Sequence, residues 1–320
     1  MDNTLKTSAE VAVRECLTIQ SNERVLVITD TKLLEIGEVF LEAASEIADS
    51  TMVVIQPRKS HGEEPPPEVA EMMKHYDVLI IPTYRSMSHT EARRNACKAG
   101  ARCATLPNIM QETMERAMNA DYQRISDLSI KLAELMTPAK NVRITTPAGT
   151  DLTFSLEGRA GIADTGLVHN PGGFTNLPAG EAYTAPIEGT ANGVFVIDGA
   201  IADTGILTPE NYITIQVKDG YAIEISGGKS AEYLKSIMKP YGKEAYNIAE
   251  LGIGTNYKAK LIGSVLEDEK VLGTVHIAMG DNRSMGGSIR VASHLDGILL
   301  CPTVFFDTKE IMHDGKIVVK

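Results

Sequence analysis

Four short apolar runs, spaced by helical patterns, restrict the first third of this chain to one kind of architecture. ERVLVITD (23–30), TMVVIQP (51–57), DVLIIPT (77–83) and ARCATLP (101–107) are rich in Val and Ile, and each has the length of a buried strand. Between them lie helical patterns at 33–47, 68–75 and 90–99. Strands alternating with 10- to 15-residue helices read as βαβ units, whose right-handed crossovers give a parallel sheet covered on both faces. The turn after the first run, TDTKLLEIG, contains neither G-x-G-x-x-G nor a phosphate-loop motif. The glycine-rich cradle of a nucleotide site is therefore missing where such a fold would carry it.

The character of the chain then changes. From Asp121 to Met136 apolar residues at Ile125, Leu128, Leu132 and Leu135 keep helical spacing, and Pro138 ends that pattern. Beyond it NVRITTPAGTDLTFSLEGR reads as a hairpin. Glycine-punctuated strand patterns continue through VFVIDGAI, YITIQVKDGYAIEISGG and TVHIAMG, with one helix, SAEYLKSIMKPYG, among them. The expected fold class is α/β plus α+β. A parallel-sheet α/β domain over 1–138 is followed by a β-rich metal-binding domain, antiparallel or barrel-like, over 139–320.

Composition narrows the function. A length of 320 residues favours two domains, and 42 acidic against 31 basic residues give a net charge of -11 with no basic, aromatic-laced cluster, which argues against a nucleic-acid partner. No run reaches the ~18 apolar residues needed to span a bilayer, and the amino terminus lacks an apolar signal core. Four cysteines with no CxxC spacing read as scattered thiols in a reducing compartment. The expected location is the cytoplasm, with no membrane partner.

The chemistry concentrates in TVHIAMGDNRSMGGSIRVASHLDGILL (274–300). In an extended strand residues i and i+2 face the same side, so His294 and Asp296 aim an imidazole and a carboxylate at one point, with His276 nearby. Glu181 in NLPAGEAYTAP and Glu250 in YNIAELGIGTN sit among small and apolar residues, where a carboxylate needs a partner or a cation. His169 lies in the turn sequence HNPGG. His61, His75, His89 and His313 lie away from these segments and read as surface residues.

The runs NLPAGEAYTAP, AELGIGTN, LEDEKVLGTVHIAMGDN and SHLDGILLCPTVFFD resemble, in order, the metal-binding half of the aminopeptidase T and aminopeptidase S type metallopeptidases, over roughly residues 140 to 320. That resemblance implies two divalent ions (Zn, Co or Mn) held by Glu181, Glu250, His276, His294 and Asp296, with Glu250 bridging. It also implies Glu269, in LEDEK, as a further acidic position and a candidate general base. A peptide or other small molecule would be the substrate, and a homodimer or higher homo-oligomer the assembly. Two departures stand out: Arg283 occupies the offset of a family tyrosine and becomes the candidate oxyanion donor, and the stretch from His276 to His294 is shorter than in the peptidases.

A second resemblance is to the 2,5-dihydroxypyridine ring-cleaving dioxygenases, which share the HLD motif and bind a single Fe(II) through two histidines and an aspartate. Their first histidine falls where this chain has Glu250, and an apolar residue replaces Glu181. The retained glutamates favour a dinuclear aminopeptidase-like hydrolase, with the Fe(II) dioxygenase, or a metal-binding relative without peptidase activity, as the alternative.

Overall fold

The computed structural model describes residues 3–319 and divides them into two compact units. Strands are numbered in chain order. The first unit, residues 1–126 with 165–179, is built on a parallel sheet. Its strands are β1 (Arg24–Asp30), β2 (Asp49–Ile55), β3 (Val78–Ile81), β4 (Arg102–Thr105) and β8 (Phe174–Asn176), ordered β2-β1-β3-β4-β8. The four runs seen in the sequence form the first four strands. Val25 to Ile28 and Val78 to Ile81 have no appreciable exposure, as expected of strands covered on both faces. Part of that cover is a core of Leu26, Ile28, Leu79 and Ile81 with Met73, Met87 and Ala96 from the crossover segments. The crossover helix Glu91–Lys98 begins at Thr90, whose hydroxyl accepts from the Arg93 N–H as an N-cap. Arg102, at the start of β4, is buried, forks onto both carboxylate oxygens of Glu23 at 2.8 Å, and donates its Nε–H to the Leu17 carbonyl.

The second unit, residues 127–164 with 180–320, contains two antiparallel sheets. The larger comprises β5 (Asn141–Thr145), β6 (Asp151–Ser155), β10 (Asn192–Ile197), β11 (Ile213–Lys218), β12 (Tyr221–Ser226), β16 (Thr303–Phe306), β17 (Lys309–His313) and β18 (Lys316–Ile317). Its order is β12-β11-β10-β6-β5-β16-β17-β18. The smaller contains β7 (Ile162–Asp164), β9 (Glu181–Thr184), β13 (Ile248–Gly254), β14 (Val275–Gly280) and β15 (His294–Leu299), in the order β15-β14-β13-β9-β7. One core joins the two sheets. Val142, Ile144, Leu152, Phe154, Phe195 and Ile215 of the larger sheet share it with Ala182, Leu251, Ile253, Val275, Ile277 and Leu299 of the smaller. The smaller sheet therefore turns alternate residues inward, and its remaining face is left for chemistry.

The division of the chain differs from a single boundary at Pro138. The helix Tyr122–Met136 places Leu132, Ala133 and Met136 in the core of the second unit, so the division falls inside that helix, at 126/127. Residues 165–179 then return to the first unit and supply β8, which pairs with β4. Of the cysteines, Cys16, Cys97 and Cys103 are buried and Cys301 is exposed. Among the described residues no helix is long and apolar enough to cross a membrane.

Candidate metal centre

Strand register gathers the residues singled out in the sequence onto one face of the five-stranded sheet. Residues directly paired across a ladder share a face. Asp164 on β7 pairs with Glu181 on β9, and Glu181 pairs with Gly254 on β13. Glu250 pairs with Ala278, and Ala278 with Asp296; His276 pairs with Gly252, and His294 with Gly280. The face thus alternates functional side chains with glycine and alanine. Gly252 is required by its neighbour, because a Cβ there would lie 1.9 Å from His276 Nε2 and 2.1 Å from its Cε1. Gly254 plays a similar part, since a Cβ would fall 2.1 Å from the Val271 carbonyl oxygen. The 270–271 backbone can rest on the sheet only over a glycine.

The side chains converge closely. His276 Nε2 lies 3.1 Å from Glu181 Oε2 and 3.5 Å from Glu250 Oε1, and His294 Nε2 lies 3.0 Å from Glu250 Oε2 and 3.3 Å from Asp296 Oδ1. Three overlapping groups have ligand atoms within 4.8 Å of one another: Glu181, Glu250 and His276; Glu250, His294 and Asp296; Glu269, His276 and Asp296. Despite these approaches Glu181 Oε2 and both ring nitrogens of His276 are buried without a hydrogen bond of acceptable geometry. Buried polar atoms are normally satisfied, so donors left in this state fit a cation among them.

The electrostatics agree. Burial works to raise the Glu250 carboxyl, yet His276 and His294 hold it well below the usual carboxylate range. Burial likewise opposes charge on the two imidazoles, and the surrounding carboxylates outweigh it, raising both well above the ordinary histidine value. Glu269 is pushed up to about 8 by burial, with Lys270 opposing and the negative charges of Glu181 and Asp296 adding to the rise. This concentration of carboxylates demands positive charge.

All five residues expected as ligands meet here, and Glu269 joins them through the third group. Arg283 does not. Its residue is exposed in the short turn Arg283–Met285, its N–H donates to Asp281 Oδ1, and among the described residues no ion pair ties its guanidinium to the cluster. Arg283 thus lies exposed in a turn after β14 and is not among the residues that the sheet face gathers. Sequence reading missed three participants. Lys270 is buried and pairs with Glu181, Glu269 and Asp164. Tyr183, two residues along β9 from Glu181, shares its face, and burial followed by the charges of Glu181, Asp164 and Glu250 raises its phenol far above the ordinary value. Asp164 carried a faint signal in its isolation within GIADTG, and Lys270 had one in its position directly after Glu269.

Orientation is fixed from outside the cluster. His294 Nδ1 sits 2.8 Å from the Asp281 carbonyl oxygen, so Nδ1 carries the proton and Nε2 is turned inward as the donor atom. The loop containing Asp281 is itself clamped by Glu188. One carboxylate oxygen accepts from Asn282 Nδ2 and from the N–H and hydroxyl of Ser288, and the other pairs with Arg159 at 2.5 Å. Arg159 also donates to the Gly286 carbonyl.

Comparison with known proteins identifies the lineage. The chain belongs to the 2,5-dihydroxypyridine 5,6-dioxygenase (NicX) family, whose model matches residues 10–319. A curated relative, the 2,5-dihydroxypyridine 5,6-dioxygenase of Pseudomonas putida KT2440, is 28% identical over 198 residues, covering 58% of this chain and 56% of the relative. The match thus spans little more than half of that enzyme. Among solved structures, the 2,5-dihydroxypyridine dioxygenase of Pseudomonas putida KT2440 superposes with a TM-score of 0.84 at 20% identity, covering 99% of this chain and 97% of the other. Wild-type AmpT from Thermus thermophilus gives 0.70 at 18% identity, covering 99% of both chains. At these identities both likenesses are of fold. The fold class expected from the sequence agrees with both neighbours.

The family match overturns the principal functional expectation. A metallo-aminopeptidase, with its hydrolase and protease chemistry, gives way to the dioxygenase lineage named as the alternative. The hydrolysis for which Glu269 and Arg283 were expected as general base and oxyanion donor goes with it. The physical reason is that imidazoles and carboxylates on a small-residue sheet face suit either reaction, so the ligand list alone does not choose between them.

Proposed function

We propose that this protein is a metal-dependent ring-cleaving dioxygenase acting on a dihydroxylated pyridine of the 2,5-dihydroxypyridine kind. The observation that carries the reading is the group Glu250, His294 and Asp296, converging on one sheet face in a chain whose residues 10–319 match the dioxygenase family. These three residues would hold the ion, with His276 beside them. Two carboxylates and one imidazole form a hard-to-borderline donor set suited to Fe(II) or Mn(II), with Glu250 standing where the dioxygenases carry a histidine. When bound, such an ion supplies Lewis acidity toward the ring hydroxyl oxygens and the one-electron chemistry that lets dioxygen react with a closed-shell ring.

The chain's own residues bind and orient. His294, its tautomer set by the Asp281 carbonyl, presents Nε2 without reorganisation. Glu250, held ionised, spans both imidazoles. Gly252, Gly254 and Gly280 let the chain's own groups close on this face, because the His276 ring, the Val271 carbonyl and the Ser293 carbonyl take the room a side chain would fill. Tyr183, retained as a protonated phenol, offers a hydrogen-bond donor toward a ring oxygen.

The test is oxygen uptake. Protein stripped with chelator and reloaded anaerobically with Fe(II) should consume one dioxygen per 2,5-dihydroxypyridine, with loss of the aromatic absorbance and both atoms of labelled dioxygen in the opened product. Asp296→Ala should abolish uptake. Iron-replete wild-type protein that leaves the ring intact would refute the reading.

A further inference from the structure

The acidic pocket already contains one cation of its own. Lys270 Nζ lies 2.5 Å from Glu181 Oε1, 2.8 Å from Glu269 Oε1 and 3.5 Å from Asp164 Oδ2, with its side chain only 2% exposed. An ammonium has three protons to donate, and these three carboxylates match them in number. The position is built by the fold. The short helix Val265–Asp268 delivers the chain, Lys270 N–H donates to the Glu267 carbonyl, and the Lys270 carbonyl accepts from Asn256 N–H. The following backbone then rests over Gly254.

We infer that Lys270 is an internal substitute for a second metal ion, fixing the capacity of this pocket at one divalent cation. Of the three groups able to hold an ion, one includes Glu181 and another includes Glu269, both partners of Lys270. Only Glu250, His294 and Asp296 form a group free of it, and among the described residues no lysine or arginine pairs with Glu250 or Asp296. An ion placed against Glu181 or Glu269 would meet the ammonium at close range in a buried setting, where like charges are poorly screened. The inference rests on the metal reading above and replaces the two ions implied by the peptidase resemblance with one ion and one lysine.

The experiment counts metal without reference to turnover. Wild-type protein, Lys270→Met, and Lys270→Met combined with Glu181→Gln and Glu269→Gln are loaded with excess Mn(II), desalted rapidly, and measured by elemental analysis. Paramagnetic resonance then reports isolated or spin-coupled ions. We expect one Mn(II) per chain in the wild type, two with spin coupling in Lys270→Met, and one in the triple variant, which loses the lysine together with two of its three acidic partners and so buries less unpaired negative charge than Lys270→Met alone. Two ions in the wild type, two in the triple variant, or one in Lys270→Met with wild-type circular dichroism and melting temperature would overturn the inference while leaving the metal site standing. No bound ion in the wild type would remove the metal reading itself.

Discussion

Replacing Gly252 by alanine should destabilise this protein, although the same change in the middle of most strands does the reverse. Glycine inside a strand ordinarily costs roughly 0.5–1 kcal/mol relative to alanine, because the unfolded chain has more freedom to lose. Gly252 is not held at a positive φ, so no backbone strain enters. The obstacle is steric. The added methyl would sit 1.9 Å from His276 Nε2, 2.1 Å from Cε1 and 2.7 Å from Cδ2, far inside an ordinary contact. The imidazole must retreat by more than 1 Å, on the order of the gap to a normal van der Waals separation, and it has nowhere empty to go because His276 is fully buried against Glu181 and Glu250. Overpacking of this kind costs about 1–3 kcal/mol. For a unit of this size each kcal/mol lowers the melting temperature by about 2–4 °C. Displacing an imidazole beside the ligands should also weaken metal binding by roughly 10- to 100-fold. Differential scanning calorimetry of apo protein and Mn(II) titration of the folded variant measure the two effects separately. An unchanged or raised melting temperature, with affinity within twofold of wild type, would show that the sheet face is not packed as described.

Other expectations follow from the same geometry. Glu188 is held down to about 2 because hydrogen bonds from Ser288 and Asn282 and the charge of Arg159 outweigh its burial. Its contribution is therefore complete above the ordinary 4.5 and lost as pH falls toward 2. Screening of a side chain 23% exposed reduces this contribution to about 1–2 kcal/mol, and urea melts of Glu188→Gln from pH 6 to 3 should show a flatter acid limb than wild type. Saturating Mn(II) at about 100 times its dissociation constant should stabilise the protein by about 2.7 kcal/mol, so chelation should lower the melting temperature and His294→Ala should lose that difference. Arg102→Ala strands the Glu23 carboxylate in a largely buried position and should cost about 3–5 kcal/mol, with denaturant midpoints as the measure.

The parallel strands were legible because a doubly covered strand announces itself as a continuous Val- and Ile-rich run, and β1 to β4 appear within a residue or two of those runs. The residues of the cluster were legible for a different reason. His-x-Asp on β15 and carboxylates embedded among small residues are local patterns, and each reported polar groups in need of a partner. What stayed hidden depended on register. Nothing local says that Asp164 pairs with Glu181, or that the chain after Val265–Asp268 folds back to lay Lys270 against both. The three residues Phe174–Asn176 of β8 are too short to signal a strand without β4 beside them. The reaction was misjudged because Glu181 and Glu250 were read as specifying hydrolysis, whereas a ligand reports the chemistry of a cation and not what that cation is used for.

The return of residues 165–179 to the first unit has a consequence for how the protein is made. β4 ends at Thr105, but the strand that pairs with its far side begins only at Phe174. At ribosomal speeds of about 5–20 residues per second, β4 waits on the order of ten seconds with one edge unpaired, while the helix and hairpin that begin the second unit emerge. The nascent chain is most open to wrong pairing in that interval, and the closing of the first sheet is timed by synthesis to come only a few residues before Glu181 appears.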